Sequence, residues 1–234
     1  KELNLPLIVA RLDSLISSYL GTTAKNIRSL FEYAQKTPCV LFLDEFDAIA
    51  KARDDGNELG ELKRVVNSLL QNVDAMSGDS LLLAATNHEQ LLDPAVWRRF
   101  DYKLEIELPD EDAIIKMIDL FTNKSDVLST KEKKEIAVAF QGLSGADIEE
   151  IVKKAFINAI IHERDFSRLN VYEELFIFKN ILPQNISNAK EILRIKARFL
   201  RSCDSKIFSL QNIAEILGSS KTTIQKLIKE VDES

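Results

Sequence analysis

The sequence predicts an α/β fold with a parallel sheet, followed by helices. In the first part of the 234-residue chain, three short apolar runs alternate with two amphipathic helical patterns. A crossover between parallel strands takes a dozen or more residues, and helices usually supply them. We therefore expect a parallel sheet flanked by helices, with its strands in the runs LPLIVARL (5–12), VLFLDE (40–45) and LLLAATN (81–87).

The second run ends in two acidic residues. Val40 to Leu43 are continuously apolar, which is typical of a strand buried on both faces. Asp44 and Glu45 follow directly. Open α/β sheets bind ligands at the carboxyl ends of their strands, so these carboxylates are candidates for a binding site. A solvated acidic strand end is the alternative interpretation.

Helical patterns fill the rest of the chain. GTTAKNIRSLFEYAQKT and ELGELKRVVNSLLQNVDAM place apolar residues such as Ile27 and Phe31 at helical spacing. After Pro109 every pattern is helical, and Pro183 marks a second break. We predict three units: an α/β core at 1–108, a helical unit at 109–182 and a small C-terminal domain at 183–234.

Composition narrows the class of protein. No apolar run approaches the roughly 18 residues that suggest a membrane span, and no signal-peptide pattern is present. Cys39 and Cys203 lack metal-ligand spacing and fit a reduced protein. We expect a cytoplasmic protein with no membrane partner. The net charge of −6 argues against nucleic-acid binding by the chain as a whole.

Four motifs together resemble a known family. VLFLDEFDAIA, LLAATN, LLDPAVWRRFDYKLEIELPD and GLSGADIEEIVKKA occur in the order found in the AAA+ ATPases. The last two are similar to the classical AAA clade of FtsH-like proteases, proteasomal ATPases, katanin and spastin. Over about residues 1–182, the resemblance implies a P-loop NTPase core with a helical lid. It also implies ATP and Mg²⁺ as cofactors and a homo-oligomeric ring, usually a hexamer, that acts on a polypeptide.

The resemblance assigns roles at the strand ends. Asp44 would bind the Mg²⁺ that bridges the β- and γ-phosphates, and Glu45 would orient the attacking water. Asn87 would align that water or contact the γ-phosphate. Arg98 and Arg99 match arginine fingers, which reach the nucleotide of the neighbouring subunit. A turn-forming asparagine and a surface arginine pair are the alternatives.

A substrate-gripping loop also follows from the resemblance. Tyr19, Leu20 and Gly21 match the aromatic–hydrophobic–glycine triplet of the first pore loop, whose side chains hold an extended polypeptide. Local packing of Tyr19 beside a turn glycine is the alternative.

A second nucleotide contact is implied near the start of a lid helix. Gly145 and Ala146 match the sensor 2 position beside adenine and ribose, and no sensor 2 arginine is expected there. Ser144 and Asp147 explain the same stretch as a capping box at a helix start.

The phosphate-binding loop of the family is missing from these residues. No G-x-x-x-x-G-K-[ST] pattern occurs in them. We therefore expect a fragment of an ATP-hydrolysing ring motor, truncated at the N-terminus of its core and inactive as an ATPase on its own. The alternative is a natural pseudo-ATPase, a non-enzymatic regulatory module that acts through its tail.

The last segment resembles a helix-turn-helix. In LQNIAEILGSSKTTIQKLIKE (210–230), the spacings of Ala214, Gly218 and Ile224 match that motif, and Gly218 permits the turn. From residue 190 onward there are nine Lys/Arg and six Asp/Glu, a local net charge of +3. DNA phosphates or base edges are candidate partners of the second helix, through Ser219, Ser220, Lys221, Thr222, Thr223 and Gln225. Protein docking and inert packing are the alternatives.

Overall fold

The chain forms two compact units, Lys1–Glu105 and Ile106–Ser234. Each unit has its own hydrophobic core. The boundary lies close to the break that Pro109 suggests. The structure, a computed structural model, describes residues 2–16, 20–48, 59–76, 79–92, 94–122, 127–183 and 186–229.

The first unit is built on a three-stranded parallel sheet in the order β1-β2-β3. Leu7 lies opposite Val40, which lies opposite Leu81, so the predicted parallel sheet is confirmed. The strands are β1 (Leu7–Arg11), β2 (Val40–Asp44) and β3 (Leu81–Ala84). The helices are α1 (Leu12–Ile16), α2 (Leu20–Lys36), α3 (Leu59–Ala75) and the short α4 (Pro94–Trp97).

Only one face of this sheet is fully covered. Leu41 and Leu43 of β2 are completely buried against the apolar side chains of α2 and α3. On the opposite face Leu7 is 63% exposed and Leu83 is 41% exposed. The expectation that β2 is buried on both faces is therefore wrong for one of them, because within the described residues the helices pack on the other side.

The second unit is all helical. Several of its helices start after capping side chains that accept hydrogen bonds from backbone N–H groups, as Asp110 does from Ala113 and Ser129 does from Glu132. The helices are α5 (Glu111–Phe121), α6 (Thr130–Ala139), α7 (Gly145–Ile161), α8 (Arg168–Phe178), α9 (Ala189–Cys203), α10 (Leu210–Ile216) and α11 (Lys221–Lys229).

The lid and the tail share one core. Tyr172 of α8 packs edge-on against Phe208, with ring centroids 6.1 Å apart, and both rings are completely buried. Ile213 and Ile224 of the tail belong to the same apolar cluster as the lid helices. The sequence predicts separate units at 109–182 and 183–234, but in the structure both lie in one compact unit. The apolar faces of α10 and α11 are buried there rather than in a core of their own.

No helix in the described ranges is both long and apolar enough to cross a membrane.

Candidate active site

The carboxyl edge of the sheet collects the polar strand ends. Arg11 ends β1 directly opposite Asp44, the last residue of β2, and Glu45 follows. Asn87 comes three residues after β3 and is exposed. Because the strands are parallel, their carboxyl ends meet at one edge, where α/β sheets bind ligands. The structure thus brings Asp44 and Glu45 together with a residue that the motifs do not include, Arg11.

Glu45 sits in a turn with an unusual backbone. Its φ is +52°, in the left-handed region that residues with a β-carbon rarely adopt. The Glu45 amide donates to an Asp44 carboxylate oxygen at 2.9 Å, and the next amide, of Phe46, donates to the Ala85 carbonyl at 2.9 Å. Holding such a residue costs on the order of 1–3 kcal/mol, and such strain clusters at functional sites. The turn leaves the Glu45 side chain half exposed.

Arg11 lies between two carboxylates. Its Nη2 is 2.9 Å from Asp13 Oδ2 and 3.4 Å from Glu45 Oε1. The hydrogen bond from Arg11 holds the pKa of the Asp13 carboxyl below its ordinary value, and the same bond raises the pKa of Arg11. The sequence motifs give no signal for Arg11, because its position depends on the register between β1 and β2.

A buried carboxylate supports the segment after β3. Asp47 is 2% exposed, and its Oδ1 accepts a hydrogen bond from Thr86 Oγ1 at 3.1 Å. Thr86 Oγ1 in turn accepts from the His88 amide at 3.0 Å. These bonds connect the turn after β2 to the residues on either side of Asn87. Asp47 therefore helps to place Asn87, although the sequence shows only an acid three residues after Asp44.

The arginine pair after α4 has two different environments. Arg99 Nε lies 2.8 Å from Asp74 Oδ1, and the side chain also donates to the Ala95 carbonyl. Arg99 thus connects α4 to the end of α3, whereas Arg98 is exposed. The sequence predicts one role for both arginines, but Arg99 would lose its ion pair in reaching a neighbouring molecule, whereas Arg98 forms no ion pair within the part of the chain that the structure describes.

The pore-loop triplet lies largely outside the described residues. Nothing is described for Tyr19. Helix α2 begins at Leu20 and continues through Gly21, but the side chains at this end lie outside the described part. The role of this triplet stays a prediction.

The sensor 2 stretch is a capped helix start. Ser144 Oγ accepts from the Asp147 amide at 3.2 Å, and Asp147 accepts from the Ser144 amide at 2.9 Å, so the capping box is confirmed. Hydrogen bonds from Ser144 hold the pKa of Asp147 below its ordinary value. A β-carbon at Gly145 would lie 3.1 Å from Met117 Cε, a tight contact that the methionine side chain would have to relieve by a small shift. The nucleotide contact of Gly145 and Ala146 stays a prediction.

The six candidate DNA contacts in the tail fall into two groups, those that stabilise the turn and the helix start and those that lie within α11. The Ser219 amide donates to the Ala214 carbonyl after Gly218, whose φ is +61°, and this bond closes α10. Ser220 Oγ accepts from the Thr223 amide at 3.1 Å at the start of α11. The side chain of Ser220 therefore has a structural role, whereas Ser219 contributes through its backbone amide alone. The remaining candidates are exposed or half exposed, namely Lys221, Thr222, Thr223 and Gln225.

The site residues could supply only part of the coordination shell of a magnesium ion. No group of three or more acidic, histidine or cysteine side chains in the described ranges is arranged to hold a metal. Mg²⁺ in phosphoryl-transfer sites commonly uses one or two carboxylates, with phosphates and water completing the shell. Asp44, half buried at the end of β2, fits as one such ligand.

Comparison with known proteins identifies the family of the first part of the chain. Residues 1–108 match the family model of the AAA proteins, the ATPases associated with various cellular activities. This part of the chain belongs to the AAA family. The crystal structure of the FIGL-1 AAA domain in complex with ADP aligns with a TM-score of 0.62 at 24% identity, over 77% of this chain and 64% of that one. That likeness shows the fold, and the predicted α/β P-loop NTPase class is confirmed.

The chain also has relatives of similar sequence. An uncharacterized AAA family ATPase of Sinorhizobium fredii is 47% identical over 71% of this chain and 52% of its own length. A proteasome-activating nucleotidase of Methanococcus maripaludis is 35% identical over 68% of this chain and 41% of its own. The chain spans about half the length of the curated relatives it matches.

Proposed function

We propose that this chain works in an AAA ring motor that hydrolyses ATP in order to remodel or thread a polypeptide. The observation that carries the proposal is the carboxyl edge of the sheet. There Glu45 is held at φ +52° beside Asp44, with its carboxylate half exposed. Membership of the AAA family supports ATP as the nucleotide.

Phosphoryl transfer depends mainly on positioning and charge neutralisation. Asp44 is proposed to hold Mg²⁺, which neutralises phosphate charge when bound. Glu45 orients the attacking water and polarises it, and Asn87, supported by the Asp47–Thr86 bond, aligns that water or contacts the γ-phosphate. Arg11 lies 3.4 Å from Glu45 and restrains its carboxylate.

The proposed ring assigns a role to the arginine that follows α4. Arg98 is exposed and is proposed to reach the phosphates bound by the adjacent subunit, so that each site is completed by a neighbour. Arg99 is proposed to position α4 through Asp74. A closed homo-oligomer, a hexamer in this proposal, gives every subunit such a neighbour. Gly145 and Ala146 are proposed to lie beside the adenine and ribose.

The test of hydrolysis is Glu45→Gln in the protein as encoded by its gene, with Glu32→Gln as the control. Glu32 is an exposed glutamate on α2, so its loss alters charge equally. Glu45→Gln should lower ATP turnover by on the order of 100-fold while ATP binding persists, because only base and water positioning are lost. Unchanged turnover in Glu45→Gln would overturn the assignment.

The test of substrate gripping is Tyr19→Ala, with Tyr33→Ala as the control. Tyr33 is 52% exposed on α2 and lies outside the proposed pore triplet of Tyr19, Leu20 and Gly21. Tyr19→Ala should abolish unfolding of a tagged model polypeptide while ATP turnover continues. Equal unfolding by both variants would contradict the pore-loop role.

A second candidate is a non-enzymatic module that regulates through its tail. The exposed, cationic surface of α11 favours it. This candidate predicts that Glu45→Gln leaves the phenotype of the cell unchanged. A dominant-negative phenotype would exclude it, because a ring poisoned by one inactive subunit requires a working motor.

A further inference from the structure

We propose that α11 binds duplex DNA through its outward face. The face consists of Thr222, Gln225, Lys226 and Lys229, which are spaced i, i+3, i+4 and i+7 and therefore lie on one side of the helix. Lys226 and Lys229 are exposed and were not among the six sequence candidates. This inference does not depend on ATP hydrolysis.

The packing of α11 fixes which side faces outward. Ile224 is completely buried and Leu227 is 1% exposed, and Ile228 packs against the same core. These three residues occupy the side opposite the outward face. Ser220 caps the helix, and Gly218 permits the tight turn from α10. An α-helix is about 10–12 Å across with its side chains, which suits a major groove about 12 Å wide.

The charge around this face complements phosphate. From residue 190 to residue 234 there are nine Lys/Arg and six Asp/Glu, a net charge of +3 in a chain whose total is −6. Three of these six acids lie in the described residues, and each of the three is engaged: Glu191 with Arg194, Asp204 with the amides of Lys206 and Ile207, and Glu215 with Gln211 and Arg168. None of the ion pairs among the described residues involves a lysine of α11.

The same face is a poor match for other macromolecules. Protein interfaces depend on apolar and aromatic anchors, and every apolar side chain of α11 is turned into the core or packed against it. Duplex RNA has a deep, narrow major groove that does not admit a helix. Lysines and hydroxyl groups on a helix that fits the groove therefore favour DNA.

The binding helix has a firm attachment to the lid. Arg168 of α8 contacts Asn212 at 3.2 Å and Glu215 at 3.8 Å, both on α10. Leu200, Ile213 and Ile224 join the tail helices to the lid core. DNA bound at α11 would thus act on the same compact unit as the lid, rather than on a tethered domain.

The test measures fluorescence anisotropy of a labelled 20-base-pair duplex of mixed sequence with this chain and no nucleotide, between about 50 and 200 mM salt. The variant Lys226→Ala/Lys229→Ala should weaken binding about tenfold and reduce the slope of log K against log salt by about two. The control Lys116→Ala/Lys134→Ala removes two exposed lid lysines and should leave binding within about twofold.

Two further arms keep the test decisive. Thr222→Glu places an acid in the first turn of α11, which favours the helix but repels phosphate, so it should weaken binding in a folded protein. Lys226→Arg/Lys229→Arg should restore binding. Absence of duplex binding at 50 mM salt, equal losses in both alanine pairs, or stronger binding to duplex RNA would each overturn the proposal.

Discussion

Arg168 donates a 2.8 Å hydrogen bond to the nearly buried carboxylate of Glu135. The same guanidinium lies 3.6 Å from Glu132 and 3.8 Å from Glu215, and it donates to Asn212 at 3.2 Å. These partners belong to α6 and α10, so one side chain of α8 bridges the lid to the tail. The polar cluster lies beside the shared apolar core and explains why the second unit is not divided at Pro183.

The first prediction concerns the stability of this bridge. Arg168→Ala should destabilise the helical unit by about 3 kcal/mol, because removing one partner leaves the Glu135 carboxylate buried without its strongest donor. Lys131, 3.7 Å from Glu135, limits the loss. The measurement is urea unfolding followed by far-UV circular dichroism.

The control for this prediction is Lys153→Ala. It breaks an exposed i,i+4 pair with Glu149 and should cost under about 0.5 kcal/mol. If both variants unfold at the same urea concentration, Arg168 does not connect the lid and the tail energetically.

Local patterns predicted the elements better than the site. The three strands could be predicted because they are apolar runs in the sequence. The start of α7 could be predicted because Ser144 and Asp147 have the spacing of a capping box. The roles of Arg11 and Asp47 could not be predicted. The position of Arg11 depends on the register between the strands, and the role of Asp47 depends on its burial. Arg98 and Arg99 are adjacent residues of the same type, so the sequence does not distinguish them. The ion pair with Asp74 identifies Arg99 as the one that holds α4 in place.

The boundary at residue 183 shows a similar limit. Pro183 does interrupt the helices, and the tail does carry its own apolar pattern. Whether the tail helices form a core alone or join another depends on packing between distant segments, such as Tyr172 against Phe208. Periodicity within one helix carries no information about that choice.

The second prediction concerns pH. Ser144→Ala should cost about 1 kcal/mol at pH 7, because it removes the N-cap of α7. Ser144 also lowers the folded pKa of Asp147, and a lowered pKa stabilises the fold above the unfolded value of about 3.9. The stabilisation that comes from the lowered pKa of Asp147 is lost as the pH falls through the pKa of the folded state.

The cost of Ser144→Ala, measured by urea unfolding, should therefore shrink as the pH drops below about 4. A cost that stays constant from pH 7 down to the acid limit of folding would show that Asp147 gains nothing from Ser144.

The third prediction concerns strain at Glu45. Glu45→Gly should stabilise the first unit by about 1 kcal/mol, because glycine adopts a φ of +52° without a β-carbon penalty. Glu45→Ala keeps the β-carbon and serves as the control. Thermal unfolding should rank Gly above Ala. Equal stability of the two variants would mean that the turn carries no strain.

The fourth prediction compares the two faces of the sheet. Leu41 is completely buried, whereas Leu83 on the neighbouring strand is 41% exposed. Leu41→Ala should cost about 3 kcal/mol and Leu83→Ala about 1 kcal/mol or less in urea unfolding of this chain. Equal costs would show that the second face is covered in solution.

The most direct test of the ring motor mixes two inactive proteins, Glu45→Gln and Arg98→Ala, and measures ATP turnover. If Arg98 completes the site of a neighbour, a random mixture restores about a quarter of the sites, since an Arg98→Ala subunit can lie beside a Glu45→Gln subunit. We predict that the equimolar mixture recovers turnover that neither variant shows alone. Turnover no greater than the sum of the two separate proteins would contradict a shared active site.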